Sequence, residues 1–238
     1  MLVILAVGIG VVFLAHTAPF PFLLEAFAPS RSIWHVPDQP GRTGPPLVYL
    51  TYDDGPNPTA TPLLLDVLHE TGAHATFFLI DAHLNDSTAP IVRRMFEEGH
   101  AVALHSDSRS LMIKTPAALA ALLTHNADRI EQLAGERPCR LFRPHAGWRS
   151  GSMYEGLRQI DHDLVGWSWG LWDWNWYRPR DAQSIARRLA ARASRGDIVV
   201  MHDGHHVDPA ADRRYAVEAT RLLVPALRKR GFGFGRLC

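Results

Sequence analysis

The sequence predicts an α/β fold, a distorted (β/α) barrel with about seven parallel strands. Three observations carry this. From residue 47 onward, seven short apolar runs alternate with amphipathic helical stretches, and strands separated by helices pair in parallel because a parallel neighbour needs a crossover. The helical stretches start with Pro or a capping residue and stop at Gly, the expected asymmetry. Polar reactive residues follow several runs: Asp53 and Asp54, His105, Arg143, Asp173 and His202. A barrel gathers all carboxyl ends on one face, whereas an open sheet would string those residues along an edge.

The elements follow in order. The strand-like runs are Leu47–Tyr52, Ala75–Ile80, Ala101–His105, Arg140–Arg143, Leu164–Ser168, Ile198–Met201 and Phe232–Leu237. The first helix is read over Pro62–Thr71, with Leu64, Val67 and Leu68 on one face and Gly72 closing it. A second has Pro90 in its first turn and Gly99 at its end. A third starts at Thr115-Pro116, carries Leu119, Leu122, Leu123, Ile130 and Leu133 at helical spacing, and stops at Gly135. Two more run from Asp181 to Arg195 and from Arg213 to Arg230, each followed by Gly.

Composition bounds the function. The chain has 238 residues, 47% hydrophobic and 21% charged, a globular balance that excludes a disordered chain. Lys+Arg minus Asp+Glu is 25 − 24 = +1, so there is no broad basic face and no nucleic-acid partner is expected. The cysteines, Cys139 and Cys238, exclude a zinc knuckle and leave open whether they pair. Leu2–Ala15 is a 14-residue run without charge, the length of a signal-peptide core. Residues 1–28 are therefore read as an export signal or an uncleaved membrane anchor, and the cell envelope or the exterior as the location. Residues 29–46 hold five prolines and read as a linker or strap. Residues 47–238 read as one catalytic domain.

The chemistry sits at the ends of the runs. Thr51-Tyr52-Asp53-Asp54-Gly55-Pro56 places adjacent carboxylates at a strand end. Neighbours on a strand point to opposite faces, so one acid suits a cation and the other a base. An apolar run enters His105, a second strand end carries Arg143 into a Pro144-His145-Ala146-Gly147 turn, and a third delivers His202 into Asp203-Gly204. His205 and His206 read as a solvated histidine-rich loop.

Together these segments resemble the polysaccharide deacetylase family, the carbohydrate esterases of family four, over roughly residues 47 to 204. The resemblance implies that Asp53 is the catalytic base and Asp54 a metal ligand, with His105 a second ligand. It implies that Arg143 orients the base, that Asp173 tunes the acid, and that His202 is that acid. Ala146 would offer a backbone oxyanion donor, with Gly147, Trp174 and Val200 lining the acetyl site. A divalent metal, zinc or similar, and an acetylated glycan or oligosaccharide are implied as cofactor and partner.

One departure matters most. Arg109 stands where the family's second metal-binding histidine is expected, four residues after His105. Arg is always cationic and cannot ligate. His145, which replaces the usual second proline of the third motif, and Asp107 are the candidate substitutes. Two rival readings remain. One is a catalytically impaired carbohydrate-binding relic, suggested by the alternating Trp167, Trp169, Trp172, Trp174 and Trp176. The other is a serine hydrolase using Ser168 in Gly166-Trp167-Ser168-Trp169-Gly170, whose elbow requires a helix directly after the serine.

Overall fold

The computed structural model describes residues 8, 32–37, 41, 43–170, 173 and 180–238. The strands are β1 (Ser32–Ile33), β2 (Leu47–Gly55), β3 (Thr76–Ile80), β4 (Ala101–His105), β5 (Leu141–Arg143), β6 (Asp163–Val165), β7 (Trp169–Gly170), β8 (Ile198–His202) and β9 (Gly233–Gly235). They form one sheet in the order β1-β6-β5-β4-β3-β2-β8-β7, with β9 added on β2. Every ladder is parallel. The two strands beyond the expected seven, β1 and β7, have two residues each, too few to leave a period in the sequence.

The helices are α1 (Ala60–Thr71), α2 (Ala89–Glu97), α3 (Pro116–Ala134), α4 (Gly151–Gln159), α5 (Ala182–Arg192) and α6 (Arg214–Lys229). Their ends have local causes. Asn57 Oδ1 accepts from Ala60 N at 2.9 Å at the start of α1, and Asp181 Oδ2 accepts from Ser184 N at 2.9 Å at the start of α5. Each satisfies a first-turn N–H that has no helical partner. Gly72 and Gly135 end α1 and α3 in the left-handed conformation.

Strand alternation divides the apolar side chains into two cores. Leu50, Tyr52, Phe77, Leu79, Val102, Leu104, Phe142, Leu164, Val199 and Met201 face the helices in the larger cluster. Phe78, Ala103, Leu141, Val165, Trp167, Ile198 and Val200 form a second cluster on the opposite face. That second cluster joins side chains from β3, β4, β5, β6 and β8, so the sheet curls around its own inner face as a distorted barrel. Burying such a side chain contributes roughly 1.5–3 kcal/mol. Continued along the same face, the inner set ends in Asp53, His105, Arg143 and His202. The site is therefore the polar rim of the inner core.

Cys139 and Cys238 form a disulfide with Cα atoms 6.4 Å apart and a sequence separation of 99. Closing a loop that long stabilises a fold by roughly 2–5 kcal/mol. It ties the last residue beside β5, where Leu237 N also donates to Thr76 Oγ1 at 3.0 Å. Among the described residues no helix is long and apolar enough to cross a membrane. The reading of 1–28 as a signal or anchor lies outside the described residues, apart from Gly8.

Candidate active site

Strand register assembles the site. Asp53 on β2 is level with His202 on β8, and His105 on β4 is level with Arg143 on β5. All are buried. Arg143 lies inside the barrel with its guanidinium 4.0 Å from the Phe78 ring centroid. It donates from Nη1 to Asp53 Oδ1 at 2.6 Å and Thr51 Oγ1 at 2.8 Å, and from Nη2 to the Gly166 carbonyl at 2.9 Å. Asp53 is thus held by one oxygen, and among the described residues no donor reaches its Oδ2.

Simple alternation would send Asp54 to the face opposite Asp53. The β2–β3 register shifts between Asp53 and Gly55, and Asp54 takes a φ of 69°. A bulge of this kind re-aims a side chain, and the left-handed backbone costs a non-glycine residue about 1 kcal/mol. His83 Nδ1 donates to the Asp54 carbonyl at 3.1 Å and supports the bulge. Both carboxylates consequently act on His105.

Asp54, His105 and His145 are buried, and one donor atom from each lies within 4.8 Å of the others. His105 Nδ1 donates to the Arg143 carbonyl at 2.7 Å. Because a carbonyl only accepts, Nε2 carries the lone pair, and it faces Asp54 Oδ1 at 3.2 Å. No hydrogen-bond donor is aligned on that buried oxygen. Burial works to raise the Asp54 carboxyl, but the positive charge that His105, and behind it His202, carry when protonated outweighs it and holds the group well below the usual carboxylate range. Burial, reinforced by His105, His206 and Arg109, pushes the His145 imidazole down to about 3, so it is neutral with a lone pair to give. An anionic carboxylate oxygen left without a donor beside two imidazoles is a donor set that fits a divalent cation.

His145 joins this group because its backbone N–H donates to Ser106 Oγ at 2.8 Å, which draws the β5 turn against the end of β4. Asp107 is exposed and stands outside the group. Arg109 is also exposed, at the start of a 3₁₀ turn (Arg109–Ile113), with its guanidinium 5.8 Å from the Trp148 ring centroid. Ala146 has a φ of 53°, and among the described residues its N–H has no acceptor. Gly147 closes that turn through an N–H to the Pro144 carbonyl at 3.0 Å.

On the other side, Asp173 Oδ2 accepts from the His202 backbone N at 2.6 Å and both carboxylate oxygens stand 3.2 Å from His202 Nδ1. Burial lowers the His202 pKa, but the Asp173 charge and hydrogen bond, with Asp54 and Asp53 behind them, raise it above the ordinary imidazole value. The contact makes Nδ1 the nitrogen that donates to Asp173 and leaves Nε2 outside that pair.

Other assignments fare differently. Val200 is fully buried within the inner core, beneath the site. Trp174, Trp172 and Trp176 lie outside the described residues. Ser168 is no nucleophile elbow: its hydroxyl donates to the Trp34 carbonyl at 2.9 Å and accepts from Ile198 N at 3.2 Å, and strand β7 follows it. His205 and His206 are only half exposed rather than solvated, and the His206 ring centroid is 4.6 Å from that of His145. Ser106, His83 and Thr51 act through contacts set by the fold, which residue type and spacing do not announce.

A parallel-stranded barrel whose rim joins a buried acid–imidazole cluster to an Arg-held aspartate and an Asp-held histidine is the frame of a hydrolase. The family model described as polysaccharide deacetylase matches residues 40–165. The chain is 35% identical to a chitooligosaccharide deacetylase of Sinorhizobium fredii over 80% of this chain and 89% of that one. It is 28% identical to a peptidoglycan-N-acetylglucosamine deacetylase of Bacillus cereus over 84% and 88%. Among solved structures, a family 4 acetyl xylan esterase from Clostridium thermocellum in complex with a cobalt ion superposes with a TM-score of 0.71 at 30% identity, over 80% and 88% of the two chains. The peptidoglycan deacetylase PdaC of Bacillus subtilis gives 0.68 at 27%, over 81% and 88%. The chain belongs to the polysaccharide deacetylase family. It is a hydrolase of acetylated carbohydrate.

Proposed function

We propose that the chain removes acetyl groups from the N-acetylated sugars of an envelope glycan or its oligosaccharides, with a divalent metal such as zinc held by Asp54, His105 and His145. When bound, that metal polarises the acetyl carbonyl and activates water. Asp53, fixed by Arg143, takes the proton of the attacking water through its open Oδ2. The Ala146 N–H, aimed by the left-handed turn, receives the developing oxyanion. His202, held by Asp173, gives a proton from Nε2 to the leaving amine. Water and the acetylated sugar become acetate and the free amine.

The observation carrying this reading is the register that sets Asp53 beside His202, each with its own orienting partner. The names of the relatives support the substrate class, and the apolar N-terminal run supports an envelope location. The test is acetate release from N-acetylglucosamine oligomers by the wild type and Asp53→Asn. Loss of release by at least about 10³-fold with metal content unchanged supports the assignment; wild-type release by the variant refutes it.

A further inference from the structure

His145 differs from His105 in how its ring is held. A ligating imidazole is ordinarily oriented by a hydrogen bond from its other nitrogen, as His105 is by the Arg143 carbonyl. Among the described residues no hydrogen bond reaches the His145 ring; only its backbone N–H is tied, to Ser106. What the ring meets instead is His206, with centroids 4.6 Å apart and planes tilted by 52°.

His206 is itself held in place. Its loop follows β8, where the Asp203 carboxylate accepts from the Thr61 hydroxyl and Gly204 N donates to the Asp53 carbonyl at 3.3 Å. Gly204 packs so closely that a Cβ there would lie 1.8 Å from the Asp54 carbonyl oxygen. His205 Nδ1 accepts from Val207 N at 3.2 Å and Asp208 N at 3.1 Å, which closes the loop. The segment presenting His206 is therefore anchored on the two catalytic-strand aspartates. His206 Nδ1 is buried and takes no hydrogen bond among the described residues, and His206 is absent from the group whose donor atoms converge. What it offers His145 is the tilted ring-on-ring contact.

We propose that His206 is a positioning residue that holds the His145 imidazole in ligating orientation by ring packing, in place of the missing hydrogen bond. This rests on the ligand set Asp54, His105 and His145 proposed above. The β5 turn thereby supplies a ligand that the segment carrying Arg109 does not, and the β8 loop steadies it.

The test measures zinc affinity of the full chain by competition with a chromophoric chelator, and the visible absorption of the cobalt-loaded protein. Variants are His206→Ala, His206→Phe and His145→Ala, and melting of the metal-free proteins checks that each folds. His206→Ala should bind zinc about 10- to 100-fold more weakly with an unchanged cobalt band intensity, and His206→Phe should recover affinity to within a few-fold of wild type. Unchanged affinity in His206→Ala overturns the proposal. So does a His206→Phe variant as weak as alanine with an altered cobalt band, which would make His206 a ligand. If His145→Ala binds zinc as tightly as wild type, the underlying ligand set fails instead. Should alanine not fold, zinc binding by His206→Phe decides: near-wild-type affinity supports packing, and its loss overturns it.

Discussion

Arg143 Nη1 donates to Asp53 Oδ1 at 2.6 Å with the arginine fully buried. A buried pair is costly to break from one side, because the surviving charge keeps its desolvation penalty without its partner. Arg143→Met should therefore destabilise the domain by roughly 3–5 kcal/mol and abolish deacetylation, since Asp53 is left unpaired and free to turn. Denaturant unfolding and acetate release measure the two effects. Near-wild-type values in both would contradict the role given to the pair.

Asp173 raises the His202 pKa against the opposing effect of burial. A general acid must hold its proton, so activity falls as pH climbs through that value. Replacing Asp173 with Asn removes the supporting charge while keeping an acceptor for the His202 N–H. The His202 pKa then drops, and the alkaline limb of the kcat profile moves to lower pH. An unmoved limb would show that another group sets it.

Arg109 places a cation near the His145 imidazole and is one of the charges that depress its pKa. The same charge repels a divalent ion. Arg109→Ala should tighten zinc binding by a factor of roughly 2–10 at low salt, and the gain should shrink as ionic strength screens the exposed guanidinium. Equal affinity at low salt would place Arg109 outside the field of the site.

Much of this arrangement was legible in the residues. Ala101–His105 reads directly as a strand ending in histidine, and Thr115-Pro116 with Gly135 brackets α3 closely. β2 runs three residues past its apolar run, to Gly55, because Asp53 and Asp54 are buried by partners that lie 50 to 150 positions away. The strap residues Ser32–Ile33 extend the sheet beside β6 through backbone pairing that no side-chain period announces. In the site, residue types and order pointed to Asp53, Asp54, His105, Arg143, Asp173 and His202. The bulge that turns Asp54 and the left-handed Ala146 were not legible, because both residues adopt a backbone that their side chains disfavour. His206 was hidden for a different reason: its contact with His145 depends on a loop packed onto β2 from across the barrel.

The proposed ligand set of Asp54, His105 and His145 makes acetyl removal depend on a bound divalent metal. The most direct measurement is acetate release from an N-acetylglucosamine oligomer by the protein as purified, after chelator stripping, and after zinc is restored. Stripping should abolish release, and one equivalent of zinc should bring it back. Undiminished release from the stripped protein, with zinc verified absent, would contradict it.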